Sequence, residues 1–319
     1  MPVHRRTKQF WLAALLGLAA PVAIVVAVLF PMWHEATKRG GQEFAEPFRI
    51  AGNFYYVGAS DVASFLITGP EGHVLIDGGY PGTPPLILRS IAQLGFDIRD
   101  VKVLLNSEPH YDHAGGLAEL QQASGAQLWA SDASADGIAA GGDNAADMLP
   151  MRAFVWLGIS RYTPARVDHR LRDGATVRLG PIAITAHITG GHAPGCTSWT
   201  FPVQDGDRAL QVVSACSLEI PPASRLIDPD RYPGIRDDFE HSFKVLRSLP
   251  ADIWVTSHAR TFGRYRKFQE RAQAKDAANP FIDPDGYRRY IDDGEATFRK
   301  ALAEQQRNPT WFTGWLPQP

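Results

Sequence analysis

Four potential metal ligands crowd into six positions of this chain, Glu108-Pro-His110-Tyr-Asp112-His113. They follow an apolar run, Val101–Leu105, and precede the small residues Ala114-Gly115-Gly116. The arrangement asks for a buried strand that ends in a short loop and feeds a helix, because such a loop lets nearby side chains converge on one point. Imidazole with carboxylate is the donor set expected for zinc or another divalent metal. His192 and His258 each stand beside an expected strand end and near Gly or Ser, where loops bring distant ligands together. The six together suffice for two metals. His73, His169, His187 and His241 lack a neighbour at ligand spacing that would complete a site, and they read as ordinary hydrogen-bonded side chains. Asp77, in Val74-Leu75-Ile76-Asp77-Gly78-Gly79, reads either as a turn residue satisfying its own backbone or as a carboxylate orienting a metal histidine.

The surrounding pattern is α/β. Short strands are expected at Phe48–Ile50, Phe54–Val57, Ser64–Thr68 and Val74–Ile76, then helix at Pro84 to Leu94, strand at Val101–Leu105 and helix at Ala114 to Ser124. Further strands are expected at Val177–Leu179, Ile182–His187, Ser198–Val203 and Leu210–Val213, the last two joined as a hairpin through Asp205-Gly206-Asp207. Helix at Phe239 to Leu249, strand at Ile253–Thr256 and helices at Tyr265 to Ala278 and Tyr287 to Gln305 complete the order. With 45% hydrophobic and 21% charged residues, the composition excludes disorder and small disulfide scaffolds. A formal charge of −2 gives no reason to expect a nucleic-acid partner.

The N-terminus reads as an export element. His4, Arg5, Arg6 and Lys8 precede an uncharged run, Phe10 to Trp33, long enough to cross a bilayer of roughly 30 Å at about 1.5 Å per helical residue. The run ends in Phe30-Pro31-Met32-Trp33 rather than a small-residue cleavage site, which favours an uncleaved anchor over a signal peptide. The positive flank stays in the cytoplasm, so the rest faces the periplasm, exported or tethered to the inner membrane. The expected organisation is a segment at 1–34, a polar linker at 35–43, one domain at 44–307 and a tail at 308–319.

In order along the chain stand Pro47-Phe48-Arg49-Ile50 with Gly52-Asn53, Leu75-Ile76-Asp77-Gly78, the Glu108–His113 cluster, Gly191-His192-Ala193-Pro194-Gly195, Ala215-Cys216-Ser217, Ser257-His258 and Asn279-Pro280-Phe281-Ile282-Asp283. These blocks resemble the metallo-β-lactamase superfamily and, more closely, its subclass B3 β-lactamases. The resemblance implies an αβ/βα four-layer sandwich, two Zn2+ per chain and a small-molecule β-lactam substrate. It implies that Glu108, His110 and His192 hold the first metal, and that Asp112, His113 and His258 hold the second. The departure is Glu108, where the resemblance implies His. An anion there lowers the net charge of the metal pair by one. The implied mechanism is attack of a metal-bound hydroxide on the β-lactam carbonyl, with Asp112 orienting the nucleophile.

Substrate positioning departs further. Ser217 reads either as a plain strand-end residue or as the match to a serine that helps hold the β-lactam carboxylate in the subclass, but Glu219 stands where a second serine is common, and an anion there calls for compensation by Arg225. The tyrosine implied shortly afterwards is absent from Pro221-Pro222-Ala223-Ser224. These changes keep a second reading open, a hydrolase of the same fold acting on a lactone or thioester. Phe154 and Trp156 read either as part of a loop over the site or as core. Cys196 and Cys216 flank Gly206 symmetrically, so a three-residue loop at 205 to 207 sets them opposite, with Cβ atoms about 4.5–5.5 Å apart. A two-residue turn shifts the register and spoils this. A disulfide is the expectation, as some subclass members resemble the pair, and two buried free thiols are the alternative.

Overall fold

Alternation along the strands decides where the layers lie. The computed structural model describes residues 43–147, 149–221, 224–273 and 278–308. Its first sheet runs β1 (Phe48–Ala51), β2 (Phe54–Tyr56), β3 (Phe65–Gly69), β4 (Gly72–Ile76), β5 (Val101–Leu105), β6 (Gln127–Ser131) and β7 (Val167–Leu171), neighbours in that order. The first four strands pair antiparallel, and β4 to β7 pair parallel. Phe65, Ile67, Val74, Ile76, Val103 and Leu105 join one core, whereas Leu66, Leu75 and Leu104 join another on the opposite face. A sheet buried on both faces needs a cover on each.

Helices supply one cover. α1 (Pro84–Gln93), α2 (Tyr111–Ala114), α3 (Leu117–Ser124) and α4 (Asp132–Ala139) follow the strands of this sheet. Ile87, Ile91, Leu117 and Leu120 meet the outward leucines. The second sheet supplies the other: β8 (Thr176–Leu179), β9 (Ile182–Ile188), β10 (Thr197–Asp205), β11 (Arg208–Ala215) and β12 (Ile253–Thr256), antiparallel except for β11 with β12. The sheets meet through aromatic contacts such as Phe54 edge-on to Phe201, with ring centroids 5.1 Å apart. Burying each such ring contributes about 1.5–3 kcal/mol. α5 (Leu149–Trp156) precedes β7, and α6 (Ile235–Ser248), α7 (Arg264–Gln273) and α8 (Pro284–Arg307) flank β12 in the chain. Phe239 and Phe243 of α6 pack on Phe298 of α8, at 5.2 and 5.6 Å, in the same core as the second sheet. The layers are therefore helix, sheet, sheet, helix, as expected.

Several expectations change. The helix expected from Ala114 to Ser124 is two helices broken at Gly115-Gly116, and β6 and β7 were not anticipated. The hairpin turn has two residues, since Asp205 pairs with Arg208 and Thr200 with Val213. On that register Cys196 and Cys216 are not opposite each other, so the symmetry argument fails. The disulfide forms nonetheless, with Cα atoms 5.8 Å apart, because both cysteines lie beyond the last ladder pair, Trp199 with Ser214. There the Cys216 N–H donates to Ser198 Oγ (3.0 Å) and the strands leave the ladder geometry. The N-terminal segment and the tail from 309 onward lie outside the described residues. No described helix is long and apolar enough to cross a membrane.

Candidate metal centre

The loop that carries the first four candidate ligands is held by Asp77 at the end of β4. Its N–H donates to the Leu105 carbonyl (2.9 Å), and its Oδ1 accepts from the Ser107 N–H (2.7 Å) and from Asn106 Nδ2 (3.3 Å). These bonds hold a backbone φ of +61°, unfavourable for a residue with a Cβ. Burial pushes the Asp77 carboxyl up to about 6, against the pull of His113 and the Ser107 hydrogen bonds. Asp77 thus fastens the backbone leading to Glu108 rather than an imidazole, a role that differs from both readings of it. His110 then caps α2, which delivers Asp112 and His113 in its single turn. The Gly115-Gly116 break lets the chain close against the β4 loop. A Cβ at Gly116 would lie 2.3 Å from the Gly78 carbonyl oxygen.

The second sheet contributes the other two histidines, His192 from the β9–β10 loop and His258 just after β12. His192 Nδ1 donates to the Glu219 carbonyl (2.7 Å), which leaves Nε2 to face the site. Two groups result, Glu108 with His110 and His192, and Asp112 with His113 and His258, each with its donor atoms within 4.8 Å of one another. In the first, Glu108 Oε2 is 2.7 Å from His110 Nδ1 and 3.0 Å from His192 Nε2. In the second, Asp112 Oδ2 is 3.2 Å from His113 Nε2 and 3.4 Å from His258 Nε2. Glu108 Oε1 joins the groups at 3.5 Å from His113 Nε2. All six predicted ligands are brought together.

This donor set fits a cation. Ligands at about 2.0–2.1 Å around a tetrahedral zinc lie roughly 3.3 Å apart, close to the spacings here. Glu108 is 0% exposed, and its Oε2 accepts no aligned hydrogen bond despite its two imidazole neighbours. Burial alone would push the Glu108 carboxyl up, yet His192, His113 and His110 hold it well below the usual carboxylate range. Against the same burial, Asp147 and Glu108 hold His110 well above the usual imidazole range, and Asp112 and Glu108 push His113 up to about 9. The site is built to stabilise concentrated charge. Cys196 and Cys216 lie beside it, with Cys216 Sγ 3.9 Å from Glu108 Oε1, but they are consumed in the disulfide.

The groups open into a cleft of about 450 Å3 bordered by His110, His192, His258, Asp112 and Tyr232, with Arg225 and Arg260 on its wall. Arg225 is therefore at the cleft, but the cation that meets Glu219 is Arg260, at 3.8 Å. Ser217 borders a neighbouring cavity instead, and its Oγ accepts from the Glu219 N–H (3.1 Å). Position 154 to 156 is helix rather than loop, and α5 lines the cleft with Met151 and Val155, one turn apart. Trp156 points away, 56% exposed, and donates to Asp143 Oδ2 (3.0 Å). Asp61, Asp147 and Arg260 were not anticipated. Asp147 Oδ1 lies 3.5 Å from His110 Nε2, and Asp61 Oδ2 lies 3.4 Å from His258 Nδ1.

Paired nitrogen and carboxylate groups at the strand ends of a two-sheet αβ/βα sandwich define a metal-dependent hydrolase. The chain belongs to the metallo-beta-lactamase superfamily, whose family model matches residues 57–258. It is similar in structure to the native FEZ-1 metallo-beta-lactamase from Legionella gormanii, with 37% identity, 83% of this chain and 98% of that chain covered, and a TM-score of 0.78. It is also similar to BJP-1, a subclass B3 metallo-beta-lactamase of Bradyrhizobium japonicum, with 33% identity, 86% and 100% covered, and a TM-score of 0.77. A curated relative, the hydroxyacylglutathione hydrolase of Jannaschia sp. (strain CCS1), is 25% identical over 197 residues, 62% of this chain, and the match spans 61% of that relative's length.

Proposed function

We propose that this protein is a zinc-dependent hydrolase that opens the β-lactam ring, with one zinc held by Glu108, His110 and His192 and a second by Asp112, His113 and His258. The observation that carries the reading is the pair of donor groups at the floor of one cleft, in a chain 37% identical to a metallo-beta-lactamase. Zinc at such positions supplies Lewis acidity and lowers the pKa of a water from 15.7 to about 7. Asp112 has the catalytic role, since its Oδ2 sits between His113 and His258, where a carboxylate orients an attacking water and holds its proton. Asp77 keeps the Glu108 loop in place. Met151, Val155 and Tyr232 exclude water from the ligand, while Arg225 and Arg260 offer cations to an anionic substrate group and Ser217 supports the wall from behind. The domain from 44 to 307 would act in the periplasm, exported or anchored through Phe10 to Trp33, and the disulfide suits an oxidising compartment.

A specific observation favours a second reading. Glu219 stands on the cleft wall, and the curated relative acts, by its name, on an acylated glutathione. A thioester or lactone would then be the substrate. The experiment is hydrolysis of a carbapenem, a cephalosporin, a penicillin and an acylglutathione thioester by the purified protein, with added zinc and with a chelator. β-Lactam turnover lost to chelator and restored by zinc is the expected result. Thioester turnover alone would replace the first reading by the second.

A further inference from the structure

We propose that Asp61 is a positioning residue for His258, fixing the ring so that Nε2 faces Asp112, and that it thereby sets the affinity of the second metal group. The inference rests on the reading of the metal centre given above. Asp61 sits in the loop between β2 and β3, distant in sequence from every ligand. Long-range pairing brings it close: the Ala63 N–H donates to the Ser257 carbonyl (2.9 Å), Val62 bridges His258, and the Ala259 N–H donates to the Asp61 carbonyl (2.6 Å). The side chain then faces both ways. Oδ1 accepts from the Arg260 N–H (3.1 Å), while Oδ2 meets the Arg260 guanidinium and lies 3.4 Å from His258 Nδ1.

That leaves a division of labour on one imidazole. Nδ1 faces an outer carboxylate and Nε2 faces the candidate ligand Asp112 at 3.4 Å, so Asp61 favours the tautomer with its proton on Nδ1 and the lone pair of Nε2 free for a metal. His258 Nδ1 is buried and makes no aligned hydrogen bond among the described residues, so the Asp61 carboxylate at 3.4 Å is the acceptor that faces it. Arg260 is the competitor for Oδ2 and continues to Glu219 on the cleft wall, so the same carboxylate joins the ligand histidine to the charged wall.

The test is a zinc titration of the chelator-stripped full chain in detergent against a chromophoric chelator, with Co2+ absorption as a second readout. Wild type is expected to take up two zinc ions. Asp61→Ala should keep the tighter uptake at the first group and weaken the second about 10–100-fold, with a changed Co2+ spectrum for that group only. Asp61→Asn, which keeps an oxygen facing the ring, should fall between them. Arg260→Ala should stay within about threefold of wild type, far from the loss expected on removing an outer carboxylate. Wild type that takes up no second ion overturns the reading of the metal centre. Two ions in wild type and an unweakened second ion in Asp61→Ala overturn the inference alone. Equal losses in Arg260→Ala and Asp61→Ala overturn it too, because Asp61 would then act through the guanidinium. If circular dichroism shows Asp61→Ala unfolded, Asp61→Asn decides: zinc binding equal to wild type overturns the inference.

Discussion

Glu108 is a fully buried carboxylate whose near neighbours include three imidazoles, and its charge is the feature that sets this site apart from one built on histidine alone. Glu108→Gln keeps the shape and removes the anion, so the first group should lose zinc affinity by at least tenfold, read by chelator competition, as expected where a charged ligand becomes a neutral one. Unchanged affinity would mean that Glu108 does not bind the metal. Asp77 allows a prediction in pH. Its folded value of about 6 lies above the ordinary 3.8, so the folded state binds that proton more tightly than the unfolded chain does. Its contribution is therefore full below about 4 and is lost as the pH rises through about 6, by roughly 3 kcal/mol in all. Asp77→Asn is neutral throughout, and in zinc-free protein it should gain about that much stability relative to wild type between pH 4 and pH 7, measured by urea denaturation. A difference that does not move with pH would remove the penalty assigned to the buried charge. The six ligands were legible because local spacing and strand ends announce them. Asp61 and Arg260 were not, since the contact that joins them spans 199 positions and no local pattern encodes it.

At the scale of elements, β5 and β12 fall where alternation and apolar runs place them, whereas β6 and β7 do not. β7 reads Val-Asp-His-Arg-Leu, and only Leu171 is fully buried; its His169 stacks on Trp129 of β6, ring centroids 3.9 Å apart. A parallel edge strand of this kind is defined by its partner rather than by its own residues. The helix through Gly115-Gly116 breaks for a tertiary reason as well, the close approach of Gly116 to Gly78. The β10–β11 hairpin shows the limit of register arguments: a shift of one residue takes the two cysteines out of opposition, and the bond forms beyond the last ladder pair instead. It closes a loop of sequence separation 20 beside Glu108. Replacing both cysteines by serine should cost about 3 kcal/mol of stability, seen as a lower urea midpoint. No change in midpoint would place the stabilisation of this corner in packing instead.

The whole molecule is two sheets whose common end carries the site, and each donor group takes two ligands from the first sheet and one from the second. Glu108, His110, Asp112 and His113 follow β5, while His192 and His258 follow β9 and β12. A metal in either group is thus a further bridge between sheets already joined by apolar contact and by hydrogen bonds such as Ala63 N–H to the Ser257 carbonyl, and binding to the folded state alone adds stability by mass action. At a free zinc concentration of about one hundred times Kd the gain is about 2.7 kcal/mol per site. For a chain of 319 residues each kcal/mol raises the melting temperature by about 1.5–2 °C, so zinc should raise that of the stripped protein by roughly 4–10 °C, depending on how many groups fill. The bridge makes a sharper demand. In the double variant His192→Ala, His258→Ala, every remaining donor sits on the loop after β5, so zinc can bind there without joining the sheets. The zinc-dependent rise, read by differential scanning calorimetry, should fall to a small fraction of the wild-type value, whereas the melting temperature without zinc should change far less, since both histidines lie at the partly exposed cleft rather than in the inter-sheet core. An undiminished rise in the double variant would mean that the β5 loop alone holds the metal and that the two sheets are not linked through it.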